Sequence, residues 1–390
     1  MHYLEIGGAE TALIGLLQTI DYSRYDVDLF LNAHRGEMMQ YIPAEVNLLS
    51  EITAYSVIEK PMTEALRRGQ LGVVAGRMLA KICYYFYACR KHPKDGSAIF
   101  GYVGKYVTPF LPSLKRLGEY DLAISFLTPH NVVLDKVRAR KKLCWIHTDY
   151  TNIDVNSSLE LPVWGGYDVI AGVSSNVCDC FCKVFPSLQS KTTVIENILS
   201  SSFIRRMADA FPVTLKDGNE LVLLTVGRYS YPKKLEDIPA ICKLLVDREL
   251  NVRWYIIGYG GSDEYIRTAI SVNRMEKNVI LLGKQTNPYP YIKACDWYVQ
   301  PSRYEGKSIV AREAQILCKP VIITNYPTAK SQVQSGIDGV IVPMSVAECA
   351  DSMFATLSDE ALKSRITDYL STHDYGNESE VEKIYKLVNE

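Results

Sequence analysis

Apolar residues fall in short blocks separated by polar, Gly- and Pro-bearing segments, and the blocks alternate with stretches of helical periodicity. Strands are predicted over 25–31, 120–126, 142–146, 167–174, 192–197, 221–228, 252–261 (running into a Gly-rich turn), 279–285, 296–302, 320–324 and 340–342. Helical patterns occupy 11–19, 176–184, 237–246, 291–294 and 311–317, and polar helices run on from 346. Strand and helix in alternation predict an α/β chain of βαβ units with parallel sheets. At 390 residues the chain exceeds one ordinary core, so two domains are expected. The serine run 200–202 and the segment 212–219 mark the crossover. The predicted division is 1–200, 201–372 and a terminal helical segment 373–390. One element is short. The glycine pair Gly7-Gly8 opens the first helix, yet the strand that should precede it is almost missing.

Composition narrows the classes. Hydrophobic residues make up 47%, enough for large cores, and 43 basic residues balance 44 acidic ones, so no nucleic-acid partner is expected. Ten scattered cysteines suit buried thiols in a reducing compartment. Cys178, Cys180 and Cys182 lack Cys-x-x-Cys spacing, and no metal site is read there. The Asp-x-Asp at Asp26 and Asp28 opens a strand rather than ending one and is likewise read without metal. With neither a signal peptide nor a long apolar run, the expected location is cytoplasmic, peripheral on the inner face of the cell membrane. Residues 60–118 stand apart: eleven Lys and Arg against Glu64 and Asp95 give +9, interleaved with bulky apolar residues. Such a segment suits an anionic membrane surface; the plainer alternative is a solvated helical pair with its aromatics in the core.

The chemistry concentrates at residues 304–314, between a strand ending in Pro301-Ser302 and the helix before Lys319-Pro320-Val321-Ile322. In parallel sheets ligands sit outside the carboxyl ends of the strands, where this loop would lie. The amides of Gly306, Lys307, Ser308 and Ile309 would point at an anion such as a diphosphate. With Ser308 as N-cap, Glu313 stands roughly 7.5 Å further along the axis. That separation suits a nucleotide sugar: Glu305 on sugar hydroxyls, the amides on the diphosphate, Glu313 on the ribose. An incidental glutamate pair on a solvated helix face is the competing reading.

Other loops supply partners. The strand over 221–228 delivers Arg228, with Lys233 and Lys234 shortly after, and two cations there would neutralise a diphosphate leaving group. Gly258 opens a further glycine turn and Lys284 lies on a loop that would face the base. His147, with Asp149 two residues on, sits at a strand's carboxyl end. Gly8, beside Gly7, would let backbone approach the diphosphate or the acceptor.

The spacing Glu305-x7-Glu313, with Pro-Ser ahead, Glu-Gly opening it and Glu-Ala closing it, resembles the family 4 retaining glycosyltransferases, the group 1 type of bacterial capsular and exopolysaccharide synthesis. The resemblance is most specific over 221–343. It implies the GT-B fold: two Rossmann-like parallel-sheet domains facing a cleft, the donor on the second, the acceptor side on the first, and a terminal helix crossing back. It implies a metal-independent retaining transfer from a nucleotide sugar, UDP-linked in most similar proteins, to a glycan or lipid-linked glycan, with no cofactor. The expected catalytic set is Glu305, Arg228, Lys233 and His147; Gly8, Lys234, Gly258, Lys284, Gly306, Lys307, Ser308, Ile309 and Glu313 would bind donor. The family has Lys-Gly where this chain has Lys233-Lys234, and a full first strand where this one is cut short. A nucleotide-sugar epimerase of the same fold and a non-catalytic nucleotide-sugar-binding protein are the alternatives.

Overall fold

The computed structural model describes residues 1–93 and 95–389. Lys94, counted in the basic segment, and Glu390, the end of the terminal segment, lie outside the described residues. The chain divides into two compact units: Met1–Ile198 joined by the last segment from Glu378, and Leu199–Asn377.

In the first unit β1 (Asp28–Leu29) pairs in parallel with β2 (Asn47–Leu48). A separate parallel sheet runs in the order β3 (Glu119–Ser125), β4 (Arg138–Ile146), β5 (Val169–Gly172), β6 (Thr192–Val194). The strand predicted over 25–31 thus shrinks to two residues. Its continuation is bonded irregularly to the first residues of the chain, Asn32 N–H to Met1 O and Ala33 N–H to His2 O. Residues 1–4 are not a strand, yet Leu4 is fully buried. Asp28, of the Asp-x-Asp, accepts from Asn47 Nδ2 at 2.7 Å and from Tyr120 OH at 2.6 Å, which ties the small sheet to β3. The terminal helix Val381–Asn389 belongs to this unit: Tyr385 stacks on Tyr25 with centroids 4.4 Å apart, and its hydroxyl accepts from Asp21 N–H.

In the second unit all six strands are parallel, in the order β12 (Val340–Val342), β11 (Val321–Thr324), β10 (Trp297–Gln300), β7 (Leu221–Val226), β8 (Val252–Ile257), β9 (Val279–Gly283). Helices cover both faces, so the central strands are apolar throughout: Leu223, Leu224, Trp254, Trp297, Tyr298 and Ile322 are inaccessible to solvent. Two polar groups inside pair with each other and with the backbone. Thr225 donates to Val299 O at 2.7 Å and accepts from Trp254 Nε1 at 2.9 Å. The sheet winds outward in both directions from the β7–β10 pair, where Leu223 lies opposite Trp297. A parallel sheet opens a crevice where its winding reverses, at the carboxyl ends of the two central strands. The loops after β7 and β10 carry Arg228, Lys233 and Glu305.

Candidate active site

Three donors converge on one oxygen of Glu305. Lys233 Nζ lies 2.6 Å from Oε1, Ser302 Oγ 2.6 Å and Gln300 Nε2 2.9 Å. The ion pair is largely sheltered, with side-chain exposures of 23% for Lys233 and 12% for Glu305. Behind it, Gln300 Oε1 accepts from the hydroxyls of Tyr298 and Ser308, and Thr324 Oγ1 donates to Ser302 O at 2.6 Å. Thr328 Oγ1 donates to the Glu305 carbonyl at 2.7 Å. The carboxylate is therefore fixed by the end of β10 and by the cation from the loop after β7. An oxygen held by three donors keeps its orientation.

Ser308 caps the helix Ile309–Ile316, its Oγ accepting from Ala311 N–H at 3.3 Å. A methyl group on Gly306 would meet nothing within 4 Å, so the space above this backbone is open. Lys307 is half-buried and Ile309 begins the helix. Glu313 faces inward at 3% exposure, and Tyr289 OH donates to its Oε1 at 2.8 Å. Burial raises the pKa of its carboxyl to about 7.

Arg228 is exposed at the end of β7. Lys234 takes a left-handed backbone, φ 56°, and turns away from Glu305 to Asp237, at 2.8 Å, and to the Met344 carbonyl. The structure thus brings Lys233 and not Lys234 to the carboxylate. Gly258 serves packing, because at φ 154° a Cβ there would stand 1.9 Å from Gly227 O. The loops after β7 and β8 zip together through it, with Tyr229 N–H bonded to Tyr259 O and Ser262 N–H to Tyr229 O. Lys284 reaches the next loop over, its Nζ 4.9 Å from the Tyr259 ring centre.

In the first unit β4 ends at Ile146, so His147 does stand at a strand's carboxyl end. Its ring is buried against Phe126, centroids 4.7 Å apart, and beside Trp145. Burial lowers its pKa to about 4, opposed in part by the Phe126 backbone. It lines a cavity of about 200 Å³ with His130, Trp164 and Glu160. His130 Nδ1 lies 2.7 Å from Ser125 Oγ and burial takes its pKa to about 3. Asp149 is engaged in its own turn, accepting from Thr151 N–H at 2.8 Å and Asn152 Nδ2 at 2.9 Å. Gly8 is exposed in the first turn of the helix Gly8–Thr19; a Cβ on its neighbour Gly7 would strike the Glu10 carboxylate at 2.3 Å.

Residues 207–372 match the family model described as glycosyl transferases group 1. The match lies within the second unit and spans under half of the chain. Among relatives, it is 23% identical over 175 residues to the poly(ribitol-phosphate) alpha-N-acetylglucosaminyltransferase of Staphylococcus aureus strain COL, covering 44% of this chain and 36% of that protein. It is 27% identical over 150 residues to the capsular polysaccharide biosynthesis glycosyltransferase CapM of Staphylococcus aureus, covering 38% and 40%. These matches span well under half the length of either relative. The Anabaena HepE structure solved with UDP-glucose aligns over 100% of this chain and 98% of its own, with a TM-score of 0.65 at 16% identity. The shared fold is GT-B.

The matched segment contains contacts that motif reading missed. Arg303 knits its two loops together: the guanidinium bonds Glu236 at 2.7 Å and Tyr231 O at 2.6 Å, and its N–H donates to Pro232 O at 2.8 Å. Gln300 and Ser302, read only as strand end, are the residues that hold Glu305. Their polarity inside an apolar strand was the available signal, since buried polar groups require partners.

Proposed function

We propose that the chain is a retaining glycosyltransferase that moves a sugar from a UDP-linked donor to a hydroxyl of a glycan or lipid-linked glycan in cell-surface polysaccharide synthesis, without a metal. The observation that carries this reading is the Lys233–Glu305 junction at the point where the second sheet's winding reverses. In the proposed reaction the bond from the anomeric carbon to the diphosphate breaks, the acceptor oxygen bonds that carbon on the same face, and the acceptor proton passes to the leaving phosphate. Arg228 and Lys233 stabilise the charge growing on the diphosphate, and the amides of 306–309 receive its oxygens. Glu305, with Oε1 taken by protein donors, offers Oε2 to the sugar hydroxyls. Glu313 gives the ribose the oxygen that Tyr289 does not use. In the first unit, neutral His147 and its aromatic cavity serve the acceptor side as a polar lining; at a pKa of about 4 the imidazole carries no charge near neutrality. The HepE complex and the polysaccharide enzymes among the relatives support the donor and acceptor classes.

The test is release of UDP from UDP-sugars with and without glycan acceptors. Glu305→Gln and Arg228→Ala should each lower turnover about 30- to 1,000-fold, the loss of ~2–4 kcal/mol of transition-state stabilisation, and the exposed Arg228→Ala should do so with unchanged melting temperature. Turnover within about threefold of wild type in both would refute the assignment. Conversion of the donor to an epimer without acceptor would replace it.

A further inference from the structure

The helix Leu71–Lys91 has 21 residues and no acidic one. One face packs into the first unit: Val73, Val74 and Ala80 are buried, Gly76 crosses so close to Tyr106 that a Cβ would lie 2.5 Å from its carbonyl oxygen, and Tyr84 and Tyr87 pack on Tyr102. The opposite face is apolar too, and it is bare. Leu71 is 67% exposed, Met78 51%, Ile82 51%, Tyr85 65% and Phe86 63%, with Leu79 beside them. At 100° per residue these positions fall within an arc of about 120°. Phe110, half exposed, lies over Gly72 and widens the patch at its amino end. Lys81 and Arg90, both exposed, border the arc on its two sides.

An apolar stripe of this size facing water needs a cover. We propose that it is an anionic lipid bilayer, with the helix lying in the plane of the interface. The stripe would enter the boundary between headgroups and acyl chains, and Lys81 and Arg90 would rest on lipid phosphates. Charge complementarity selects this occupant. The face is rimmed by cations and carries no acid, so a second copy would set like charges together, whereas an anionic headgroup answers them. A spanning role is not the alternative, because among the described residues no helix is long and apolar enough to cross a membrane. The inference rests on this face alone and stands or falls apart from the donor site.

The experiment is co-sedimentation of the full chain with vesicles of phosphatidylcholine alone or mixed with phosphatidylglycerol, each at low and high salt. Wild type should bind the anionic vesicles at least about tenfold more tightly than the neutral ones and be released by salt. The double variant Ile82→Glu, Phe86→Glu should lose binding about tenfold or more with its melting temperature unchanged, since both side chains are exposed. Lys81→Glu with Arg90→Glu should abolish the preference for anionic lipid. Equal binding to neutral vesicles, or equal binding by wild type and Ile82→Glu, Phe86→Glu, would overturn the proposal. So would a lipid-free dimer that Ile82→Glu, Phe86→Glu dissociates, since a second copy would then be the cover.

Discussion

Glu305 and Glu313 share one loop and helix but are opposite in circumstance. Glu305 is an ionic partner held by Lys233, Ser302 and Gln300, whereas Glu313 is buried against one tyrosine hydroxyl. The pair was legible from spacing; their environments were not, because burial depends on which helix face the sheet covers. Glu313 has a measurable consequence. Its folded-state pKa of about 7 lies above the ordinary 4.5, so the folded chain holds this proton more tightly than the unfolded chain. Stability from this group is present below the lower value and is lost as pH rises toward 7, then stays level. Glu313→Gln keeps an acceptor for Tyr289 and removes the charge. It should stabilise the chain at pH 8 on the order of 1–3 kcal/mol, and by little at pH 4.5. Denaturant unfolding at the two pH values reads this; an equal effect at both would show that the carboxyl is ionised without penalty. Which of two adjacent lysines reaches Glu305 was equally hidden, since it turns on the left-handed backbone of Lys234.

At the scale of elements, the strands of the second unit were all visible as apolar blocks, since a strand buried on both faces leaves a continuous apolar run. Their lateral order was not, because pairing of β7 with β10 joins segments far apart in sequence. The packing role of Gly258 was hidden for the same reason: the sequence shows a further glycine turn, and the contact it makes is between two loops brought side by side by the sheet. Gly258→Ala should therefore displace the loop bearing Arg228. With a backbone oxygen 1.9 Å from the new methyl and a φ of 154°, no side chain can yield to it. The expected cost is about 2–4 kcal/mol in denaturant unfolding, with loss of donor binding. A variant as stable as wild type would show that this approach is dispensable. The strand over 25–31 failed differently. Its alternation was real, but beyond Leu29 its neighbours are residues 1–4, which bond it without a regular ladder.

For the molecule as a whole, the first unit differs from the second in how it meets acid. His147 and His130 are buried and neutral, with pKa values of about 4 and 3 against 6.5 for a free imidazole. The unfolded chain binds these protons more readily, so the stability from neutral burial is complete above pH 6.5 and drains away as pH falls toward 4. His147→Gln should gain up to about 2 kcal/mol relative to wild type between pH 7 and pH 5. An imidazole Cε1 proton of His147 titrating near pH 6.5 in NMR would contradict this. The residue at this strand end was legible as a candidate; its aromatic enclosure required the fold.

The central claim is that one UDP-sugar is gripped by Lys233 at its diphosphate and by Glu305 at its sugar. Calorimetric titration of UDP and of UDP-glucose against wild type, Lys233→Ala, Lys234→Ala and Glu305→Gln tests it most directly. Lys233→Ala should weaken both ligands about tenfold or more, Lys234→Ala neither, and Glu305→Gln only UDP-glucose. If Lys233→Ala binds UDP as wild type does, the junction between the two loops is not the donor site.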